Sequence, residues 1–596
     1  MSTHKDRIDA LRTQLGSQKL NGFVIPLTDE HMSEYVGAYA QRLAWLTGFE
    51  GSAGSAAVLA DKAAIFVDGR YTLQVRDQVD GNLFSYQSIP DTNVADWLGG
   101  QMKAGDRIGY DPWLHTKGWV QSTAKALADK GAELVAIEEN PIDRVWRDRP
   151  APSPERLIPH PDSLAGQPSA DKRRAIASFL KDRKADATVV AALDSIAWAF
   201  NVRGKDVSRT PVGLAFAIVR ADATADLFVD PGKVDGGLRD HLGPDVTIRP
   251  RGDFADALEA LGGTVVADPA TCVAAIFESL NAGGAKIVEA RDPCILPKAA
   301  KNAVEIEGSK AAHVRDGAAL TRFLHWFDQE ASKGGLDEMI AADRLEGFRR
   351  ETNMLQDLSF DTISGAGPNG AIVHYRVSPE TNRKIEQDSI FLIDSGAQYV
   401  DGTTDVTRTM IVGKPTAEMR DRFTRVLKGH IAVATAIFPK GTRGVQLDTL
   451  ARASLWEVGL DYAHGTGHGV GSFLAVHEGP QRIALPGSGQ TGGDEPLVEG
   501  MILSDEPGYY KTGEYGMRVE NLILVVKADI PGAEKQMFRF ETLTLAPIDL
   551  ALVDVDLLTK KERDWLNAYH ARVRDELSPL LPDDVQAWLV EATRPI

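Results

Sequence analysis

Cysteine is almost missing from this sequence. Cys272 and Cys294 are the only two in 596 residues, too few for a disulfide framework and not spaced as a zinc ligand pair. Thr271-Cys272-Val273 carries none of the local signals of a thiol nucleophile, so both are read as buried or half-buried thiols without chemistry. Also lacking is any stretch of the roughly 18 to 20 apolar residues that a bilayer crossing needs. Met1 to Leu20 is polar and charged, with no apolar run of signal-peptide length, and the expectation is a cytoplasmic chain with no membrane partner. Positive charge is in deficit: 66 Lys and Arg against 84 Asp and Glu leave a formal net charge of −18. A surface of that sign does not condense onto phosphate backbones, and nucleic acid is not expected as a partner. No G-x-x-x-x-G-K-[ST] loop and no H-E-x-x-H helix occurs, which removes P-loop and zincin chemistry.

What is present is the composition of an ordinary globular protein, 43% hydrophobic and 25% charged. The length suits several domains of about 100 to 250 residues each. Residues 6–140 alternate helical stretches with short apolar runs such as Gly22-Phe23-Val24-Ile25 and Ala63-Ala64-Ile65-Phe66-Val67, the pattern of an α/β unit. Arg149-Pro150-Ala151-Pro152-Ser153-Pro154, with Pro159 and Pro161 beyond it, reads as a linker, because proline fits neither helix interiors nor central strands. Candidate strands resume at 187–192, 215–219 and 225–229, and Ile196-Ala197-Trp198 followed by Gly204 echoes Leu43-Ala44-Trp45 followed by Gly48, which suggests two related N-terminal domains. A second break falls at 292–297. Residues 305–329 then read as a long helix with Ala312, Ala319, Phe323 and Trp326 on one core-facing side. A tail helix opens with a capping box from Thr559 to Glu562 and carries a stripe of Trp565, Tyr569, Val573 and Leu577, which should pack on the preceding domain or on a second subunit. The expected divisions are 1–150, 151–300, 301–547 and 548–596.

The chemistry concentrates between the second break and the tail. Ser389-Ile390-Phe391-Leu392-Ile393-Asp394 reads as a buried strand ending in a carboxylate, and 403–412 reads as its antiparallel partner after a reversal containing Asp401-Gly402. Asp394 and Asp405 are an odd number of residues apart across that reversal, so they are expected nearly opposite one another on one face. Two such carboxylates repel unless a cation sits between them. His468 lies in the glycine-rich His464-Gly465-Thr466-Gly467-His468-Gly469, read as a loop. Glu506 ends the apolar run Met501-Ile502-Leu503, and Glu520 opens Leu522-Ile523-Leu524-Val525-Val526. Carboxylates beside such apolar strands are costly without partners. Four carboxylates and one neutral imidazole carry −4, which two divalent ions balance. Oxygen-rich ligation with one nitrogen suits Mn²⁺, with Zn²⁺ also possible. Gly365-Ala366-Gly367-Pro368-Asn369-Gly370 matches G-x-G-x-x-G, but the extended-looking Ala371-Ile372-Val373-His374-Tyr375 follows it and no helix does, so it reads as a loop that delivers His374.

Taken in order, Leu392-Ile393-Asp394-Ser395-Gly396, Asp401-Gly402-Thr403-Thr404-Asp405, Gly465-Thr466-Gly467-His468-Gly469, Val476-His477-Glu478-Gly479-Pro480, Asp505-Glu506-Pro507-Gly508-Tyr509-Tyr510 and Arg518-Val519-Glu520-Asn521 resemble the pita-bread metallopeptidases. Within them the likeness is to the three-domain cytosolic Xaa-Pro aminopeptidases. It extends to Gly48-Phe49-Glu50-Gly51-Ser52-Ala53-Gly54, Asp68-Gly69-Arg70-Tyr71 and Asn201-Val202-Arg203-Gly204, and so covers most of the chain. The resemblance implies an α/β (α+β) fold: two creatinase-like N-terminal domains, then a pita-bread domain with a C-terminal extension. It implies Asp394, Asp405, His468, Glu506 and Glu520 as ligands of two divalent ions, with Asp405 and Glu520 shared between them. His374 and His477 match histidines that hold the scissile carbonyl, Arg518 matches an active-site arginine, and Glu506 doubles as general acid and base. The implied reaction is hydrolysis of an Xaa-Pro bond by a hydroxide bridging two metals, on peptide substrates with proline in second position, by a homodimer. A prolidase confined to Xaa-Pro dipeptides and a non-hydrolytic binding protein of the same fold remain as alternatives. A creatine amidinohydrolase would not require the five-ligand set.

Overall fold

Apolar runs of four to six residues become the strands of the N-terminal half, as Ala63–Val67 and Ala225–Val229 show by being buried at every position. The structure, a computed structural model, describes residues 3–89, 91–486 and 492–596. The chain forms two compact units, residues 1–295 and 296–596.

The N-terminal unit contains two six-stranded sheets. The first runs Ser85–Ser88, Ala63–Val67, Ser55–Leu59, Gly22–Pro26, Arg107–Tyr110, Glu133–Ala136, and the second runs Val246–Arg249, Ala225–Val229, Ala215–Arg220, Ala187–Val190, Thr264–Ala267, Lys286–Glu289. Numbered by chain order within each sheet, both read 4-3-2-1-5-6, with antiparallel pairs 1–2 and 2–3 and parallel pairs 3–4, 1–5 and 5–6. The short Trp-containing echo in the sequence therefore belongs to a repeated topology. Both cysteines are buried, and burial pushes the Cys272 thiol up to about 12, which keeps it inert.

The C-terminal unit opens with α1 (Ala303–Ala331), capped by a reciprocal Asn302–Glu305 box. Of its expected core face, Ala312, Ala319 and Phe323 are buried and Trp326 is half-buried. Within 292–297 a short helix, Ile295–Ala299, begins, and its Pro297 sits in the first turn, where no backbone donor is needed. After α2 (Glu338–Arg350) come β1 (Ile363–Ala366), β2 (Ser389–Ser395) and β3 (Val406–Val412), a sheet with β2 in the centre. A second sheet places β4 (Gly467–Gly469) between β5 (Glu478–Ile483) and β6 (Ile502–Asp505). After the hairpin strand β7 (Tyr515–Arg518), β8 (Asn521–Ala528) pairs with β6. The tail helix α3 (Lys560–Leu577) has the predicted Thr559–Glu562 capping box. It buries Tyr569, Val573 and Leu577 in a core shared with Ile390, Leu427 and Val519 of its own unit.

Three local expectations are corrected. Tyr399 pairs with Gly402, so the reversal is Val400-Asp401, one residue earlier than Asp401-Gly402, and Asp394 sits opposite Thr407. Asp405 is thus displaced from Asp394 by two residues, a diagonal neighbour on the same face, because a shift of two preserves the alternation of a strand. The His468 segment is a strand and not a loop. Its glycines allow backbones to touch: a Cβ on Gly467 would lie 2.0 Å from the Ser504 carbonyl oxygen, and one on Gly469 2.2 Å from that of Glu478. Finally, Gly367–Ala371 is a short 3-10 helix and His374 lies in the turn after it. Gly365, Gly370 and Gly516 there pack backbone on backbone, a Cβ on Gly516 falling 1.8 Å from the Gly370 carbonyl oxygen, and no dinucleotide cradle forms.

Candidate metal centre

Five residues on or beside strands of the C-terminal unit form the site. Asp394 comes from the end of β2, Asp405 precedes β3, His468 is the middle residue of β4, Glu506 follows β6, and Glu520 stands between β7 and β8. Asp405, His468 and Glu520 each bring one ligand atom to within 4.8 Å of the others. His468 Nε2 lies 3.4 Å from Asp405 Oδ2 and 3.5 Å from Glu506 Oε1. Its Nδ1 is 2.9 Å from the Gly469 carbonyl oxygen, which fixes the proton there and leaves the Nε2 lone pair facing the carboxylates.

The electrostatics describe a cluster short of positive charge. Burial first, and then Asp394, hold the Asp405 carboxyl well above the usual range. Glu520 is raised in the same way, by burial and then by Asp405, Asp394 and Glu506. Burial pushes Glu506 up to about 7. Arg518 offsets part of the charge: its Nη2 donates to Asp394 Oδ2 at 2.6 Å, its Nε to Thr407 Oγ1 at 3.0 Å, and its Nη1 to the Tyr510 hydroxyl at 2.6 Å. The other Asp394 oxygen, Oδ1, is buried with no hydrogen-bond partner. An orphaned carboxylate oxygen among raised carboxyls and one oriented imidazole is a donor set that fits hard divalent cations.

The two histidines that the resemblance singles out are at the site. The His477 ring centroid is 4.3 Å from that of His468 and 6.4 Å from that of His374, and both rings are partly exposed. Every predicted site residue thus lies in one neighbourhood. Several supporting groups escaped sequence reasoning. Thr407 donates to Glu520 Oε2 at 2.7 Å, and its place two residues beyond Asp405 on the same strand face was an available signal. Tyr510 also contacts His464 Nε2 at 2.9 Å, tying Arg518 to the glycine-rich segment. His430 stands 3.2 Å from Asp505 Oδ2 and 3.0 Å from Asn521 Nδ2, behind Glu506 and Glu520, and nothing in its helical surroundings marked it. Lys298 and Lys301 meet the Glu478 carboxylate in full burial beside His477.

Residues 307–527 match the metallopeptidase family M24, residues 7–145 and 148–305 each match a creatinase/prolidase N-terminal domain, and residues 536–596 match the C-terminal region of peptidase M24. A probable Xaa-Pro aminopeptidase P of Laccaria bicolor is 41% identical over 611 residues, spanning 99% of this chain and 93% of the relative. Aminopeptidase P2 of Arabidopsis thaliana is 40% identical over 618 residues, spanning 97% and 86%. Among solved structures, the X-prolyl aminopeptidase of Caenorhabditis elegans, described as a cytosolic enzyme with a di-nuclear active site, matches with a TM-score of 0.94 and 36% identity over 100% of both chains. The chain belongs to metallopeptidase family M24, among the Xaa-Pro aminopeptidases P.

Proposed function

We propose that this protein is a metalloaminopeptidase that hydrolyses the Xaa-Pro bond and releases the first residue of peptides with proline in second position. The observation that carries the reading is that Asp405, His468 and Glu520 bring ligand atoms within 4.8 Å of one another, with Glu506 3.5 Å from the oriented His468 imidazole and a buried Asp394 oxygen left without a hydrogen-bond partner. Asp394, Asp405, His468, Glu506 and Glu520 would hold two divalent ions, with Asp405 and Glu520 shared. Mn²⁺ suits four carboxylate ligands with one nitrogen, and Zn²⁺ is the other candidate. When bound, the ions supply a water acidic enough to ionise near neutral pH and a positive field for the scissile carbonyl.

The chain's own groups do the rest. Glu506 can accept the water's proton and deliver it to the departing proline nitrogen. His477 and His374 are set to donate hydrogen bonds to the carbonyl oxygen as negative charge develops on it. Arg518 holds Asp394 in place through the 2.6 Å bond to Oδ2. The divisions 1–150, 151–300, 301–547 and 548–596, a cytoplasmic location and a homodimer complete the reading. Among the described residues no helix is long and apolar enough to cross a membrane.

Matches to both creatinase-type domains and to the C-terminal region support the long aminopeptidase form over a prolidase. The discriminating experiment compares release of the N-terminal residue from Arg-Pro-Pro, Arg-Ala-Pro and the dipeptide Ala-Pro by metal-loaded protein. Cleavage of Arg-Pro-Pro with Arg-Ala-Pro untouched is expected. Cleavage of Ala-Pro alone would make the protein a prolidase, and turnover of none would leave a binding protein.

A further inference from the structure

The loop that carries His374 leaves β1 at Ala366 and closes on itself at Arg383, and one side chain holds it shut. Glu338, the first residue of α2, is completely buried. Its Oε1 accepts from the Ala366 backbone N–H at 2.7 Å and from Asn369 Nδ2 at 3.0 Å. Its Oε2 accepts from the Arg383 backbone N–H at 2.9 Å and from the Tyr375 hydroxyl at 2.9 Å. The backbone of Glu338 joins in: its N–H donates to the Arg383 carbonyl at 3.1 Å, and its own carbonyl accepts from Ser364 Oγ at 2.7 Å. Both ends and the middle of the loop are therefore fastened to one residue.

Inside the loop, Asn369 Nδ2 also lies 2.9 Å from the Tyr375 hydroxyl and 3.1 Å from the Thr381 carbonyl oxygen, so the chain is wrapped around the phenol. Tyr375 is buried against Ile363 and Leu392, the latter on the strand that ends in Asp394. His374, its immediate neighbour, is only partly buried and lies beside His477. A buried carboxylate is costly, and here the four donors that offset the cost are uncharged groups of the loop itself. Loss of any one of them leaves Glu338 short of a donor and the loop short of an anchor.

We propose that Glu338 and Tyr375 are positioning residues for the peptidase reaction. The Glu338 carboxylate clamps residues 366–383, and Tyr375 passes that constraint to His374, setting its imidazole where the scissile carbonyl oxygen gains charge. The inference rests on the role proposed above for His374. A hydrogen bond that matters most in the transition state affects kcat and leaves KM nearly alone, whereas a general weakening of the fold reduces the active fraction and the thermal midpoint together.

The test is a double-mutant cycle on metal-loaded protein with Arg-Pro-Pro as substrate, using Tyr375→Phe, His374→Ala and the pair, with metal content and thermal midpoint measured for each. Tyr375→Phe is expected to keep its metals, to lower kcat about tenfold and to change KM less than about twofold. In the His374→Ala background it is expected to have no further effect, because a residue that acts through His374 has nothing left to act on. Asn369→Ala removes a different donor from the same carboxylate and is expected to follow the same pattern, which keeps the test decisive if the tyrosine variant folds poorly. If His374→Ala is impaired and the second substitution multiplies its loss in full, the clamp is overturned and the role of His374 stands. If His374→Ala turns over normally, both are overturned.

Discussion

Asp405 is 4% exposed and shares its surroundings with Asp394 and Glu520, so its ionisation is governed by burial and by like charge. In chelated protein the carboxyls of Asp405, Glu520 and Glu506 all have folded-state pKa values above their unfolded ones. A raised carboxyl contributes stability that is fully present below its unfolded pKa, about 4, and is lost as pH rises through the folded value. Glu506 places part of that window near 7. Thermal denaturation of the chelated protein is therefore predicted to show a falling midpoint from about pH 5 to 7, and saturating Mn²⁺ is predicted to remove most of the slope by replacing the protons. A chelated midpoint that stays flat or rises across this range would contradict the assignment. Thr407 offers a second residue-level test. Thr407→Val removes the donor to Glu520 Oε2 and the acceptor for Arg518 Nε, and a loss of about 10- to 100-fold in Mn²⁺ affinity is expected by titration calorimetry. Unchanged affinity would show that Glu520 needs no such support. Asp394, Glu506 and Glu520 stood out in the sequence as carboxylates at the edges of apolar runs, where only a partner makes them tolerable, and His468 as an imidazole left accessible by glycines. Tyr510 and Glu338 did not stand out, since a tyrosine in a strand or a glutamate opening a helix looks the same whether or not it braces something.

Elements carry the site through their closeness more than through their type. β4 is three residues long, and the sequence suggested a loop because glycine is a poor strand former. In the sheet those glycines are required, since β4 pairs with β5 on one side and β6 on the other. Gly467→Ala would set a methyl group 2.0 Å from the Ser504 carbonyl oxygen, a backbone atom that cannot swing aside. His468 would move with the strand. The variant is expected to lose both thermal stability, by more than about 2 kcal/mol, and metal-dependent turnover, and a near-normal enzyme would contradict the packing described. The β2–β3 hairpin teaches the complementary lesson. Its reversal was misplaced by one residue, yet Asp394 and Asp405 still share a face, because alternation survives a register change of two. The tail helix α3 was fully legible from its capping box and stripe, but its partner was not. Tyr569 on that helix accepts from Arg408 Nη2 at 3.0 Å and donates to the Ala546 carbonyl at 2.9 Å, linking the tail to the strand β3 that follows Asp405. Such a long-range bond leaves no periodic trace.

At the scale of the whole molecule, the repeated six-stranded sheets of the N-terminal unit explain why so long a chain shows ordinary composition and only a short internal echo. Topology is set by the order of apolar runs and turns, which two diverged copies can share while few residues remain alike. The prolines at 292–297 suggested a break, and that stretch carries the start of the short helix Ile295–Ala299. In the function proposed above, five residues of the C-terminal unit hold two divalent ions, and Xaa-Pro hydrolysis depends on those ions. The most direct measurement titrates chelated protein with Mn²⁺ while counting ions bound per chain and following release of arginine from Arg-Pro-Pro. Turnover that is absent without metal and reaches its maximum at two ions per chain is predicted, with Asp405→Asn binding fewer ions and remaining roughly a thousandfold slower. Full turnover by protein stripped of metal, or by Asp405→Asn, would contradict the account.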